Sequence, residues 1–213
     1  MSDAIRDYIL SLVSQDHPCL PELAGRYEGR NDIQPAIGPE VGKLLGLLIR
    51  MMRATQVLEL GSCLGYSTIW LAQAVDATRG LVTSIESNHE LVLETQRSVD
   101  RTGLAHRVRL VEGDAAKVVY ELSGPFDLIL QDSDKALYPI LFDRLVRMMR
   151  VGGILAADDA LFRPKGMPAR FADSMHRYNQ LATADPRLYT TILPIGDGLT
   201  ISLKICDQTD IDS

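Results

Sequence analysis

Residues 57–67 read Val57-Leu-Glu-Leu-Gly-Ser-Cys-Leu-Gly-Tyr-Ser67, an apolar run followed by a turn that contains two glycines. The run predicts a buried strand over 57–60, and the residues after the turn predict a helix over 68–75. A second apolar run, 81–85, predicts the next strand. Strands that alternate with helices in this way predict an α/β fold with a doubly wound, mostly parallel sheet.

The same alternation continues to the end of the chain. Ser87-Asn-His-Glu90 has the form of a capping box, with Ser87 as the N-cap of a helix that Gly103 can close. Further strands are predicted over 108–111, 126–131 and 153–157, with helices over 136–149 and 169–182. Two last apolar segments, 189–193 and 199–205, flank Gly196-Asp-Gly198, which predicts an antiparallel hairpin at the end of the sheet.

Length and composition are those of one globular domain. The chain has 213 residues, of which 46% are hydrophobic and 23% charged, and we expect a single domain over 1–213. Residues 1–38 are expected to form a helical and irregular segment, with a helix over 3–14 and at most one short helix in the Pro- and Gly-rich stretch 15–38. Residues 39–205 form the predicted core, which opens with a helix from Pro39 to about Arg53.

Charge and cysteine content exclude several classes of protein. A net charge of −6 argues against nucleic acid as a partner. Three widely spaced cysteines fit neither a zinc site nor a disulfide framework, which favours a reducing cytoplasm. The first residues lack the order of a signal peptide, and the apolar run 44–49 is too short to span a bilayer, so no membrane partner is expected.

Acidic residues follow two of the predicted strands. Asp132-Ser-Asp-Lys135 comes after strand 126–131, and Asp158-Asp159 comes after strand 153–157. Neighbouring parallel strands would bring three carboxylates to one sheet edge, where a hard divalent cation can neutralise them. Lys135 is then a candidate base beside a metal. The alternatives are an ion pair between Lys135 and Asp134, and a polar loop at Asp158-Asp159.

Candidate ligand-binding residues follow each of the first three predicted strands. Gly61 and Gly65 allow a ligand to approach the backbone closely, although tight turns often contain two glycines and the spacing is not that of a dinucleotide fold. Glu86 can accept both ribose hydroxyls, or it is a solvated strand end. Asp114 can meet an adenine amino group, or it caps the following helix.

These motifs occur in the order of a known family. Their sequences are Val57-Leu-Glu-Leu-Gly-Ser-Cys-Leu-Gly-Tyr-Ser67, Ser84-Ile-Glu86, Gly113-Asp-Ala115, Asp132-Ser-Asp-Lys135, Gly152-Gly153 with Asp158-Asp159, and Pro194-Ile-Gly-Asp-Gly-Leu199. Over about 33–205 the chain resembles the cation-dependent O-methyltransferases, the group of catechol and caffeoyl-CoA O-methyltransferases, and it is most similar to their small bacterial members.

The resemblance implies a Rossmann-like sheet that binds S-adenosylmethionine, a divalent cation (Mg²⁺, or Mn²⁺ or Ca²⁺) and a small catechol-like acceptor. Residues 34–42 match the family's lid, and a homodimer with 15–38 at its interface is implied. By position, Glu59, Gly61, Tyr66 and Ser67 are implied to lie at the methionine end of the cofactor. Glu86 is implied to bind its ribose, and Asp114 with Ala115 its adenine. Asp132 is implied to contact both cofactor and metal, Asp158 and Asp159 to bind the metal, and Lys135 to act in catalysis.

Two departures from the family pattern bear on activity. Asp159 stands where the family usually has Asn. The additional negative charge of Asp159 should hold the cation more tightly and attract a phenolate less. Residues 161–170 are short for the loop that often covers the substrate. A catalytically weak S-adenosylmethionine-binding protein is therefore the alternative, whereas an NAD-dependent reductase is disfavoured by the glycine spacing. The basic residues Arg163, Lys165 and Arg170 have two alternative interpretations: they bind an anionic acceptor, or they lie in a solvated loop.

Overall fold

The predicted alternation of strands and helices produces a seven-stranded sheet. The computed structural model describes residues 3–12 and 17–207. Its strands are β1 (Gln56–Leu60), β2 (Leu81–Glu86), β3 (Val108–Glu112), β4 (Phe126–Gln131), β5 (Met149–Ala157), β6 (Leu188–Leu193) and β7 (Leu199–Lys204). They lie in the order β3-β2-β1-β4-β5-β7-β6. The first five are parallel, and β7 is antiparallel to both β5 and β6. The predicted fold class and the C-terminal hairpin are confirmed.

Helices cover both faces of this sheet. They are α1 (Asp3–Leu12), α2 (Cys19–Gly25), α3 (Pro39–Met52), α4 (Tyr66–Thr78), α5 (His89–Asp100), α6 (Ala115–Glu121), α7 (Leu137–Met148) and α8 (Ala169–Ala184), with a short 3-10 turn at Ala105–Arg107. The buried apolar side chains form two clusters, one on each face of the sheet. Leu45 of α3 and Ile69 of α4 belong to one cluster, and Leu141 of α7 and Met175 of α8 to the other.

Several predicted boundaries differ from the observed ones. The helix predicted over 3–14 is observed over Asp3–Leu12, and its last two predicted residues lie outside the described part of the chain. Ser87 was the wrong N-cap for α5. The cap is Asn88, whose side chain accepts a hydrogen bond from the amide of Glu90. An Asn side chain satisfies a helix N-terminus as well as Ser does, so two adjacent polar residues leave the position undecided by sequence.

Strand β5 begins four residues earlier than predicted, at Met149 rather than at 153. Its pairing with β4 shifts register between the partners of Phe126 and Leu128. The glycine pair lies within this irregularity: Gly152 has φ +79°, and a Cβ on Gly153 would lie 2.9 Å from the carbonyl oxygen of Arg150. The start of β5 contains Arg150, Gly152 and Gly153, so it does not show the apolar pattern of a strand. Such irregularities need backbone freedom rather than apolar side chains.

The strand order reverses between β1 and β4. From β1 the chain proceeds outward to β2 and β3, and it then returns to the other side of β1 to form β4 and β5. In doubly wound sheets a crevice opens at this reversal, beyond the carboxyl ends of the strands. Glycine turns and acidic residues at these strand ends therefore meet in one region. Within the described ranges, every helix is too short or too polar to serve as a membrane span.

Candidate active site

A cleft of about 510 Å³ lies over the carboxyl ends of β1 to β4. A smaller pocket of about 30 Å³ adjoins it at the turn after β1. The predicted site residues that line the cleft are Gly61, Glu86, Asp114, Ala115, Asp132 and Lys135. Gly61, Tyr66, Ser67 and Asp132 line the smaller pocket. Most of the predicted set is thus brought together, although the parts come from four separate stretches of the chain.

The turn after β1 needs glycine for its own packing. Gly61 has φ +95°, and a Cβ there would lie 2.2 Å from the carbonyl oxygen of Asp132. Gly65 has φ +89° and precedes the first residue of α4. The glycines therefore let the turn pass close to the end of β4. Ligand approach and backbone packing use the same absence of a side chain, so the two alternatives for this turn are compatible.

Glu86 is buried at the end of β2 and is not a solvated strand end. One carboxylate oxygen accepts a hydrogen bond from the amide of Cys63 at 3.0 Å, and the other accepts from the amide of Asn88 at 3.0 Å. The carboxylate of Glu86 therefore links the turn after β1, which contains Cys63, to Asn88 at the start of α5. Each oxygen can accept a further bond, so the group facing the cleft is suited to a pair of hydroxyls.

Asp114 caps a helix and also lines the cleft. Its side chain accepts a hydrogen bond from the amide of Ala116 at 2.9 Å, which makes it the N-cap of α6. The capping alternative is therefore confirmed. Asp114 and Ala115 lie at the end of the cleft formed by β3, next to Leu91 of α5. Capping occupies one oxygen of the carboxylate and leaves the second available to a ligand.

Glu59 lies beneath the site and lines neither cavity. It is 0% exposed and accepts a hydrogen bond from the hydroxyl of Thr68 at 2.6 Å and another from Ser84. Its other oxygen is buried without a hydrogen-bond partner. Burial raises the pKa of Glu59 to about 7, although hydroxyl donors favour its charged form. The residue joins β1, β2 and α4 beside the smaller pocket.

The three predicted metal ligands do converge. Asp132, Asp158 and Asp159 each offer a carboxylate oxygen, and these oxygens lie within 4.8 Å of one another. The polar-loop alternative for Asp158-Asp159 is wrong in one respect, because both residues are buried. Burial and the neighbouring carboxylates raise the pKa of Asp158 well above its usual value. Burial, partly offset by Lys135, raises the pKa of Asp159 to about 6.

This acidic trio fits a hard cation. Oδ1 of Asp158 is buried and has no hydrogen-bond partner. The backbone of Asp159 has φ 67°, a left-handed conformation that few residues other than Gly, Asn and Asp adopt readily. Carboxylate oxygens are the ligands that Mg²⁺, Mn²⁺ and Ca²⁺ prefer, and a bound cation would both satisfy the orphan oxygen and neutralise the like charges.

Lys135 lies beside the acidic trio and is only 3% exposed. Its Nζ lies 2.6 Å from Oδ2 of Asp159 and 3.1 Å from Oδ1 of Asp132. The alternative that Lys135 pairs with Asp134 is wrong. Asp134 instead accepts a hydrogen bond from the amide of Ala136 at 3.0 Å. The turn before α7 directs the side chains of Asp134 and Lys135 apart, although the two residues are neighbours in sequence.

A buried base beside a bound divalent cation is expected to have a pKa below that of free lysine, whereas in the cation-free chain the pKa of Lys135 is raised. Burial favours the neutral amine, but contacts with Tyr138 and two carboxylates more than offset burial. The resulting pKa lies well above the ordinary value. The expectation assumed a bound divalent cation, whose charge opposes that of the trio.

The hydroxyl of Tyr138 is the functional contact that the sequence analysis missed. It lies 3.0 Å from Nζ of Lys135 and donates to the carbonyl of Gln131 at 2.7 Å. A tyrosine one helical turn after a candidate base is the signal that would have found it.

The N-terminal segment and one basic side chain close the site. Residues 31–34 line the cleft and 34–37 the smaller pocket, so the lining extends three residues before the segment 34–42 that the resemblance implies as a lid. Ion pairs from Arg26 and Arg30 to Glu94 tie this segment to α5. Of the three basic loop residues, Lys165 bonds Asp197 at 2.6 Å and the carbonyl of Gly196 at 3.0 Å. It therefore holds the loop against the hairpin turn.

Fold and site together define a nucleotide-binding enzyme of the Rossmann-like methyltransferase class. An O-methyltransferase family model matches residues 10–205, and the chain belongs to this family. A catechol O-methyltransferase of Niastella koreensis is 32% identical over 201 residues, which are 90% of each chain. Caffeoyl-CoA O-methyltransferase 2 of Populus trichocarpa is 28% identical and covers 96% of this chain and 90% of its own.

Solved structures agree with the family assignment. An O-methyltransferase from Bacillus cereus, in complex with SAH, superposes with a TM-score of 0.83 at 25% identity, covering 94% of this chain and 97% of its own. Cofactor-bound Rv0187 from MTB superposes with a TM-score of 0.85 at 27% identity, covering 95% of this chain and 97% of its own. The protein is thus an S-adenosylmethionine-dependent O-methyltransferase.

Proposed function

We propose that this enzyme transfers a methyl group to a hydroxyl of a catechol-like small molecule and that it requires a divalent cation. The observation that carries the proposal is the position of Lys135, whose Nζ contacts two carboxylates of the acidic trio while the residue lines the cleft. A buried lysine, three converging carboxylates and a cleft of about 510 Å³ therefore adjoin, which supports these roles. Similarity to relatives named catechol and caffeoyl-CoA O-methyltransferases supports a phenolic acceptor.

The cofactor is proposed to lie along the carboxyl ends of β1 to β3. Glu86 would accept the ribose hydroxyls, and Asp114 with Ala115 would meet the adenine. Gly61, Tyr66 and Ser67 would surround the methionine end, where the smaller pocket lies. Glu59 is proposed to support this end from below, since it bonds α4 rather than the cleft. The order of these residues along one cleft supports the assignment.

The cation is proposed to bind Asp132, Asp158 and Asp159, with Mg²⁺ as the expected ion and Mn²⁺ or Ca²⁺ as substitutes. Its charge would supply a Lewis acid that lowers the pKa of the acceptor's hydroxyls. The orphan oxygen of Asp158 and the raised pKa values in the trio support the site, because cation-free carboxylates at this spacing are left with unfavourable charge.

Methyl transfer from a sulfonium to an oxygen is an in-line displacement, so the protein must hold oxygen, methyl and sulfur collinear. Lys135 is proposed to take the proton from the reacting hydroxyl at Nζ. The lid residues 31–37 would exclude water from the cofactor end. Phe171 of α8 and Leu137 of α7 line the cleft and would offer apolar contact to an aromatic ring.

Transfer of labelled methyl from S-adenosylmethionine to an acceptor panel tests the proposal. The panel pairs catechols with monophenols of the same substitution, and each is measured with chelator and after Mg²⁺ is restored. We expect label on catechols alone, loss of transfer with chelator and recovery with Mg²⁺. Transfer that survives exhaustive chelation would contradict the metal requirement, and equal transfer to monophenols would contradict the acceptor class.

A further inference from the structure

We infer that Tyr138 is a positioning residue that fixes the amino group of Lys135 for the reaction, an inference that rests on the proposed role of Lys135 as the base. Tyr138 is 0% exposed, so it cannot touch an acceptor in the cleft. Its hydroxyl nevertheless lies 3.0 Å from Nζ of Lys135. It therefore acts on the reaction through another side chain.

The direction of the hydrogen bonds follows from the second partner of the hydroxyl. The carbonyl oxygen of Gln131, 2.7 Å away, can only accept, so Tyr138 must donate its single proton there. The phenolic oxygen then has a lone pair for Nζ of Lys135, which donates. Gln131 is the last residue of β4 and precedes Asp132. The chain of bonds thus ties the lysine to the end of β4, directly before Asp132 of the acidic trio.

Tyr138 differs in kind from the other two partners of Lys135. Asp132 and Asp159 are carboxylates that belong to the proposed cation site. Tyr138 is a neutral group whose ring is held by edge-to-face packing on Tyr178, with ring centroids 5.5 Å apart and planes at 81°. The Nζ atom also lies 4.8 Å from the centroid of the Tyr138 ring. Tyr138 is therefore the contact of Nζ that is held by core packing and takes no part in the proposed cation site.

The chain offers a matched control in Tyr178. Both tyrosines are fully buried and belong to the same aromatic group, in which Tyr178 also packs on Phe142. The hydroxyl of Tyr178 has no hydrogen-bond partner among the described residues. Tyr138→Phe and Tyr178→Phe therefore remove the same atom from the same core, and only the first removal takes a contact from Lys135.

A double-mutant cycle with Lys135→Met tests the inference. Turnover, the KM of a catechol and the calorimetric Kd of S-adenosylmethionine are measured for wild type, each single variant and Tyr138→Phe/Lys135→Met. We expect Tyr138→Phe to lower kcat about 10- to 100-fold, the scale of a misplaced catalytic group, with KM and Kd within about twofold of wild type. Tyr178→Phe should leave kcat within about twofold. In the Lys135→Met background, Tyr138→Phe should cost no further activity.

The outcomes separate this inference from the proposed function. A Tyr138→Phe enzyme with wild-type kcat, beside a Lys135→Met enzyme that has lost activity, overturns the role of Tyr138 alone. The same holds if the two losses multiply in the double variant, or if Tyr138→Phe loses its affinity for the cofactor, because the tyrosine is then structural. A Lys135→Met enzyme with wild-type kcat contradicts the base itself, and the inference with it.

Discussion

Nζ of Lys135 lies 2.6 Å from Oδ2 of Asp159, a residue whose own backbone has the left-handed φ of 67°. One carboxylate thus pairs with the proposed base and belongs to the proposed cation site. Any change at Asp159 should therefore affect both cation affinity and the charge felt by Lys135.

The ribose contact is tested at Glu86. We expect Glu86→Ala to weaken S-adenosylmethionine binding by about 1–3 kcal/mol, since a carboxylate that bonds hydroxyls is removed. The matched control is Glu112→Ala, because Glu112 is paired with Glu86 in the neighbouring strand yet is exposed and outside the cleft. Calorimetry measures both affinities. Equal affinities of wild type and Glu86→Ala would mean that the ribose binds elsewhere.

Cation affinity is tested by Asp159→Asn. The substitution keeps an oxygen ligand but removes a charge, so we expect weaker binding of Mg²⁺ and Mn²⁺ by calorimetry. Turnover of an anionic acceptor should rise, since the site becomes less negative. Asp134→Asn serves as the control, because that carboxylate caps a backbone amide and is not part of the trio. Tighter cation binding by Asp159→Asn would contradict the charge argument.

For Lys135, we expect Lys135→Met to lower kcat about 10²- to 10⁴-fold, the usual contribution of a positioned acid–base group. Cofactor affinity should be nearly unchanged, because Lys135 lies at the acceptor end of the cleft. Wild-type turnover should also rise with pH, since the ammonium form of Lys135 must lose its proton before the amine can act as a base. A variant that keeps both the rate and its pH profile would show that Lys135 is only an ion-pair partner.

Glu59 should make stability pH-dependent. Its pKa is about 7 in the folded chain against an ordinary value of 4.5, so folding favours the protonated form. The stabilisation is fully present below pH 4.5 and is lost as the pH rises through 7, a change on the order of 3 kcal/mol. Urea unfolding of the cofactor-free, chelated protein at pH 5 and pH 8 measures it. Glu59→Gln should reduce the difference between the two pH values, whereas exposed Glu112→Gln should leave it as in wild type.

Assembly is tested by light scattering. We expect a homodimer in which residues 15–38 contribute to the interface. Exposed apolar side chains on the neighbouring helices support a buried contact there: Tyr8 and Leu12 on α1, and Leu47 and Met51 on α3. Tyr8→Glu should then shift the protein toward monomer. A wild-type chain that is monomeric at high concentration would contradict the expectation.

The sequence by itself determined the sheet, its strand ends and the set of residues near the cleft. Apolar runs such as 57–60 and 126–131 can be buried only as central strands, and parallel strands end at a common edge. Asp132 and Asp158 had to meet at that edge once β4 and β5 were neighbours. Glycine at 61 and 65 marked the turn in the same way, since glycine adopts a positive φ without the steric cost that other residues meet.

Only the tertiary structure decided which side chains touch within the site. Neighbours in sequence suggested Asp134 for Lys135, but the partners are Asp159, which arrives from another strand, and Tyr138, which lies one helical turn away. The direction of the Lys135 pKa shift in the cation-free chain follows from these contacts, which the sequence did not show. Distances of 2.6–3.1 Å between side chains depend on how separate elements pack, and a linear pattern of residue types does not contain that information.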